Sequence, residues 1–348
     1  MKKYFLYELK RNRLPAVIIT VFSIVLYLLP VAVVDFRMEV SEWGVYMPPS
    51  FIQIPLVTLM VLCTLVPILM FAFKMDSKQV DCLYSMSIKR EKLYLVKSIV
   101  GLLMVLVPYT LAFWLGFTVT AIKPNDFVLS GFVTAYFVSI PFAVLLFGFN
   151  AFAFSRANRI IDGLIFIALY ACAAVFAILY FYFIRYHYYN AGGAFFGQSP
   201  FDFQNWFSYS PLAYLLNRQN NIIRRSLFLD HEYRWVMYLY AIITGIAAWA
   251  GLFATARLEK AENTERVSSA KFGYSWLIPF YFAIALSFGG AMRSRTEQVI
   301  YSVLCILAAI VAYIIYRRSF KLKKVDWYSM LGAFVAGIIL SVILIALY

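Results

Sequence analysis

The chain has 348 residues, of which 63% are hydrophobic and only 14% are charged. Because soluble domains carry about 25% charged residues, this composition excludes an ordinary soluble protein and indicates an integral membrane protein. The net charge of +14 would suit nucleic acid if Lys and Arg clustered on a soluble face. They fall instead between apolar stretches, which indicates orientation in a membrane and no nucleic-acid partner.

The first thirteen residues, MKKYFLYELKRNR, predict a short helix at the membrane surface. Phe5, Leu6 and Leu9 recur at helical spacing, with Lys10 and Arg11 beside them. Such an amphipathic segment lies in the interface and leads into the first span. The alternative is a basic tail that only sets the orientation of the protein.

Nine apolar stretches are long enough to cross a bilayer, which takes about 20 residues at a rise of 1.5 Å per residue. The first is longer than the roughly 7–15 apolar residues of a cleaved signal peptide, so we expect it to remain as a span. The nine predicted spans are 14–34, 51–73, 98–122, 128–154, 160–184, 235–256, 274–292, 298–316 and 328–347.

The connecting segments alternate in their content of Lys and Arg. With the N-terminus inside, the inner segments hold 22 of these residues and the outer segments hold 9. Since basic residues are retained on the cytoplasmic side, we predict a multi-pass protein of the cell (plasma or inner) membrane. Its N-terminus is expected in the cytoplasm, and the odd number of spans places Tyr348 outside.

The insert between the second and third spans, residues 74–97, reads KMDSKQVDCLYSMSIKREKLYLVK. Asp76 or Ser77 is suited to capping a short helix in which Val80, Leu83 and Tyr84 share one face. A further helix, capped by Ser87, would lead into the third span. A small apolar face flanked by mixed charge suits docking to a soluble protein. The alternative is a solvated loop whose basic residues only hold the topology.

The external segment 185–234 is the largest predicted region outside the membrane. Its second half begins SPLAYLLNRQNNIIRRSLFLD, where Ser210 is a good N-cap and Pro211 suits the first helical position. We expect an amphipathic helix on the outer surface here. In the last span, Gly332, Ala336, Gly337 and Ser341 form small-residue pairs that allow helices to pack closely, within the chain or against a partner.

Residues that carry chemistry are sparse. Within the nine spans Asp162 is the only ionisable side chain, and a role at the N-terminus of its helix is favoured over one in transport. Asn150 is expected to make an interhelical hydrogen bond. No Walker A, H-E-x-x-H or G-x-S-x-G motif occurs, and the two histidines, His187 and His231, both lie in the external segment. No enzyme, cofactor or metal site is predicted on this chain.

The order of these elements resembles the permease subunits of ABC exporters of the type-2 class. The match consists of the N-terminal surface helix, two spans, the insert ending in Lys89, Arg90 and Lys97, and the external segment with its Ser210–Pro211 start. It implies a six-span core over 1–262, and the extension over 263–348 resembles a bacterial subgroup with extra C-terminal spans. The resemblance makes Ser77 to Met86 a coupling helix that seats on an ATPase. The residues expected at that contact are Ser77, Val80, Asp81, Leu83, Tyr84, Ser85, Met86, Lys89 and Arg90.

The function implied by the resemblance is ATP-driven export by a non-catalytic permease. ATP and magnesium would bind to a separate cytoplasmic ATPase, and a second permease chain, identical or homologous, would complete the pathway among membrane lipids. The sparse charge in the spans favours an apolar or amphipathic substrate, such as a hydrophobic peptide, a lipid-like molecule or an antimicrobial. The alternatives are an ion-coupled secondary carrier, or a membrane sensor or scaffold that relays external binding to a cytoplasmic partner.

Overall fold

Helices account for nearly all of the described structure. The computed structural model describes residues 2–34, 39–41, 44–46, 50–86, 88–123, 129–173, 232–258, 264, 272–289 and 295–346. The helices are α1 (Lys2–Arg11), α2 (Arg13–Val33), α3 (Ser50–Phe71), α4 (Ser77–Tyr84), α5 (Arg90–Ile122), α6 (Leu129–Ser155), α7 (Ile160–Ala173), α8 (Glu232–Ala256), α9 (Tyr274–Gly289), α10 (Arg295–Arg317) and α11 (Lys324–Ala346). A short antiparallel hairpin, β1 (Glu39–Ser41) and β2 (Gly44–Tyr46), joins α2 to α3.

Six of the described helices are long and apolar enough to cross a membrane. They are α2, α3, α5, α6, α10 and α11. The protein is therefore a polytopic helical membrane protein, as its composition indicates. Three shorter apolar helices, Ile160–Ala173, Ile242–Ala256 and Tyr274–Gly289, coincide with the predicted fifth, sixth and seventh spans. The predicted external helix that begins at Ser210 lies outside the described residues.

Threonine hydroxyls within the long helices bond to their own backbone. Thr58 donates to the carbonyl of Ile54 at 3.0 Å, and Thr64 donates to that of Met60 at 2.9 Å. A hydroxyl surrounded by apolar groups needs a partner, since burying it unpaired costs free energy. The carbonyl four residues earlier in the helix supplies that partner locally, so threonine is compatible with these apolar segments.

The chain divides into two compact units, Met1–Ser155 with Pro211–Thr264, and Arg156–Ser210 with Glu265–Tyr348. In this division α7 groups with the C-terminal helices, while the predicted six-span core over 1–262 stays a prediction. The links of α7 to the rest of its unit include hydrogen bonds. The Tyr281 hydroxyl donates to the carbonyl of Leu169, and the Tyr170 hydroxyl donates to that of Phe272.

The first unit is built around α5, which packs against α2 and α3. Gly116 on α5 lets the buried ring of Tyr27 approach, since a Cβ there would lie 1.9 Å from a ring carbon. On the other side of α3 lies α6. The Asn150 side chain donates from Nδ2 to the Cys63 carbonyl at 2.9 Å, which confirms the predicted interhelical hydrogen bond.

The second unit is centred on α9, which packs against α10 and α11. Its core contains Phe282, Ala283, Leu286, Ala309, Tyr313, Tyr316, Met330 and Ala333. Gly337 lets α11 pack closely against α9, because a Cβ at this position would lie only 2.8 Å from the Leu286 Cβ. Gly332 faces open space among the described residues. Of the predicted small-residue pattern, Gly337 thus serves packing within the chain.

Candidate functional site

The insert 74–97 folds as a short helix followed by a sharp change of direction. A 3-10 turn, Ala72–Met75, ends α3, and α4 begins after Asp76. The Asp76 side chain accepts a hydrogen bond from the Lys78 backbone N–H at 3.0 Å. The predicted capped helix is therefore confirmed. Ser87 lies outside the described residues, and the following helix begins at Arg90.

The apolar face of α4 is turned into the protein. Val80 and Leu83 are only 1% and 3% exposed. A two-turn helix at the end of an apolar bundle buries such side chains because this removes apolar surface from water. The sequence shows that Val80, Leu83 and Tyr84 share a face, but it does not show which way that face points. Val80 and Leu83 are internal contacts here, and their expected part in a contact with an ATPase stays a prediction.

The outward face of α4 is polar. Its exposed residues are Ser77, Lys78, Asp81, Cys82 and Ser85. Three of these, Ser77, Asp81 and Ser85, belong to the predicted contact set. A surface of mixed charge and hydroxyl groups suits a reversible, hydrated contact with a soluble partner. Any docking to α4 in this conformation uses this polar face.

The turn after α4 carries the remaining residues of the predicted set. The guanidinium of Arg90 lies over the ring of Tyr84, 4.6 Å from its centroid. This cation–π contact ties the end of α4 to the start of α5. Met86 is half-buried, and Lys89 is exposed.

A buried ion pair joins α1 to α5. The Lys97 Nζ lies 3.2 Å from Glu8 Oε1, and the two side chains are 4% and 0% exposed. Glu8 also accepts hydrogen bonds from the Tyr4 hydroxyl at 2.6 Å and from Asn12 Nδ2 at 3.1 Å. The Lys97 Nζ also lies 4.4 Å from the centroid of the Phe73 ring. The pair therefore has the extra partners that a buried charge requires.

Two exposed contacts add links between neighbouring elements. Arg11 on α1 donates to the Gln79 side chain on α4 at 3.3 Å. Arg257, just after α8, pairs with Glu91 on α5 through two contacts of 2.5 and 3.0 Å. Such surface pairs are worth little free energy by themselves, but they set the relative position of these elements. The first contact ties α4 to α1, and the second ties the end of α8 to α5.

Sequence reasoning did not single out Glu8. One signal was present, because Glu8 is the only acidic residue in a segment with five basic ones. It also lies four residues after Tyr4, which places both side chains on one face of a helix. Its partner Lys97 was noted as part of the family resemblance, but nothing in the sequence paired the two.

The environment of Glu8 shifts its acidity. Burial opposes ionisation, but the attraction of Lys97 and the hydrogen bond from Tyr4 outweigh it and hold the pKa of Glu8 below its ordinary value of 4.5. Burial, together with the bond to Glu8, raises the pKa of Tyr4, so its hydroxyl remains a donor. Glu8 is therefore ionised at neutral pH.

This shift predicts an acid dependence of stability. Because the folded pKa lies below the unfolded one, the ionised carboxylate stabilises the fold above a pH of 4.5. That contribution is lost as the pH falls through the folded-state pKa. The unfolding midpoints of wild type and Glu8→Gln, measured in detergent from pH 7 downward, are expected to differ at neutral pH and converge in acid. A difference that is constant with pH would contradict this prediction.

No group of three or more His, Cys, Asp or Glu side chains is arranged to hold a metal ion within the part of the chain that the structure describes. Comparisons with models of protein families, with curated proteins and with solved structures found no match to this chain. The function must therefore be argued from the arrangement around α4 and from the order of elements along the chain.

Proposed function

We propose that this chain is the permease subunit of an ATP-driven ABC transporter of the type-2 class. In this proposal the chain crosses the cell membrane nine times, with α4 in the cytoplasm and the C-terminus outside. A separate ATPase binds ATP and magnesium, and a second permease chain completes the pathway. The transported molecule is apolar or amphipathic, and the direction is export.

The position of α4 is the observation that carries this proposal. An ATPase can drive a permease only if its motion reaches the membrane helices through a firm connection. Helix α4 provides one, since it is capped by Asp76 and its Val80 and Leu83 side chains are buried in the protein. The Arg11–Gln79 bond adds a surface contact to α1. Arg90 and the buried Glu8–Lys97 pair extend the connection to α5. A push on the polar face of α4 would therefore be transmitted to both helices.

The ion-coupled carrier is less well supported. Such carriers need a carboxylate in the helix bundle that exchanges its ion or proton during transport. The described buried carboxylates, Glu8 and Asp326, each form an ion pair, with Lys97 and Arg317 respectively. The half-buried Asp162 accepts a hydrogen bond from the Tyr274 hydroxyl. Both pairs lie near helix ends and link neighbouring helices, which is a structural arrangement.

The exposed Cys82 on α4 offers a direct test of docking. Membranes from cells that produce the full chain are treated with a thiol-reactive photo-crosslinker, with and without ATP and vanadate. We expect an adduct with a protein that carries a Walker A motif and has ATPase activity. The adduct is expected to depend on the nucleotide and to be lost in Cys82→Ser.

A charge reversal on the same face makes the test specific. Asp81→Lys is expected to weaken co-purification of the ATPase at least about tenfold, because placing like charges together at an interface costs several kcal/mol. Lys321→Glu, an exposed charge reversal in the second unit, serves as the control and should not change it. If the adduct contains no Walker A protein, or survives Cys82→Ser, α4 is not the coupling helix and the permease proposal fails.

A further inference from the structure

A crevice of about 710 Å³ lies within the second unit, among α7, α9 and α10. Its wall is mostly apolar, and Ala285, Ala308 and Ala312 leave room between the helices. Sites for small molecules commonly have volumes of about 300–1,000 Å³ and a few convergent polar groups. This crevice has the size and the lining of such a site.

The polar residues that line the crevice include Asp162, Tyr274 and Arg318. Tyr274 donates from its hydroxyl to Asp162 Oδ1 at 3.0 Å. That bond leaves Asp162 Oδ2 out, and the Arg318 side chain is exposed. One anionic and one cationic group are thus available beside an apolar wall.

The backbone at Arg318 adds a separate observation. Arg318 follows the last residue of α10 and has a φ of 51°, in the left-handed region. Glycine is usual at this position after a helix, because other residues meet a steric cost there. An arginine in that conformation is strained, and such strain is found where a side chain has a functional task. Its side chain lines the crevice.

We propose that the crevice binds a zwitterionic phospholipid with a primary amine, of the phosphatidylethanolamine class. Its phosphate pairs with Arg318, its ammonium group pairs with Asp162, and an acyl chain lies along Ala308 and Ala312. Charge complementarity selects this occupant, because an arginine matches phosphate geometry and a carboxylate accepts from an amine. The proposal concerns the second unit and does not depend on docking at α4.

The test uses the purified full chain, stripped of lipid in detergent. Phosphatidylethanolamine and phosphatidylglycerol with the same acyl chains are titrated separately, and bound lipid is counted by native mass spectrometry. Phosphatidylglycerol has the phosphate but no amine, so we expect it to bind about tenfold more weakly, the effect of losing one hydrogen bond to a charged group. Asp162→Asn is expected to remove this preference while keeping an acceptor for Tyr274.

Arg318→Gly separates binding from folding. Glycine adopts the left-handed region without strain, so this variant should fold at least as well as wild type. Its phosphatidylethanolamine affinity is expected to fall about tenfold or more, as for loss of a charged hydrogen bond. Lys321→Gly removes an exposed cation that does not line the crevice, and it should leave the affinity unchanged.

Filling the crevice gives an independent result. Ala312→Phe should abolish binding, whereas Ala336→Phe, an exposed alanine on α11 outside the crevice, should not affect it. The proposal is overturned if the two lipids bind equally to wild type, or if Ala312→Phe and Ala336→Phe behave alike. It is also overturned if Arg318→Gly and Lys321→Gly bind phosphatidylethanolamine with the same affinity. Binding would then be non-specific association of lipid with the apolar surface of the protein.

Discussion

Replacing Lys97 by methionine is expected to destabilise the protein by about 3–5 kcal/mol, the cost of breaking a buried ion pair by removing one partner. Glu8 is fully buried, so the substitution leaves a carboxylate without its countercharge. The hydrogen bonds from Tyr4 and Asn12 remain, but both donors are neutral. Denaturation of the purified protein in detergent measures the loss. Lys78→Met, an exposed lysine on α4, is the matched control and should change stability little.

The double variant Glu8→Gln with Lys97→Met distinguishes pairing from packing. Removing both charges abolishes the unpaired carboxylate, so most of the lost stability should return. A double variant as unstable as Lys97→Met would mean that the lysine stem, rather than the ion pair, matters. If Lys97→Met and Lys78→Met are equally stable, the Glu8–Lys97 pair does not stabilise the fold.

The same variants bear on coupling. The Glu8–Lys97 pair holds α1 against α5, and α1 reaches α4 through Arg11 and Gln79. When the pair is broken, α1 loses a buried attachment to α5, and a push on α4 is transmitted less firmly. In the double variant, restored stability without restored transport would assign the charges to coupling in addition to folding.

The helices of this protein were predictable because the membrane leaves few alternatives. A lipid environment requires every backbone group to be satisfied within the segment, so long apolar stretches form helices. The capped helix α4 was also predictable, since Asp76 precedes a segment with local helical spacing. Asn150 was recognisable as an interhelical donor because an amide in an apolar helix needs a partner. All three inferences use local sequence and a general energetic cost.

Tertiary pairing was not predictable in this way. Glu8 and Lys97 lie on different helices, and their contact depends on how α1 folds back onto α5. The direction in which α4 faces depends on the same packing, since periodicity shows that Val80 and Leu83 share a face but not what covers it. The crevice in the second unit needs α7 beside α9, which is established by the Tyr274–Asp162 bond. Each of these features arises from contacts between residues far apart in the sequence.

The adjacent residues Arg317 and Arg318 are expected to have opposite effects on stability. Arg317 forms a bidentate ion pair with Asp326, with Nη2–Oδ1 and Nε–Oδ2 distances of 2.6 and 3.0 Å. Asp326 is 3% exposed and Arg317 is 23% exposed. Arg317→Leu should therefore cost about 3 kcal/mol, the lower end of the range for a broken buried pair. Arg317→Lys should cost less, since it keeps the charge but loses the planar fork.

Arg318→Gly is the matched comparison, because it removes the same type of side chain one residue later. It also relieves the left-handed backbone, so its unfolding midpoint should equal or exceed that of wild type. Both variants are measured by denaturation in detergent, with and without phosphatidylethanolamine. Arg317→Leu should lower the unfolding midpoint in both conditions. Arg318→Gly should lose only the increase in the unfolding midpoint that phosphatidylethanolamine produces in wild type. If both lower the lipid-free midpoint equally, Arg318 is part of the helix-linking contact, and its assignment to the lipid site is wrong.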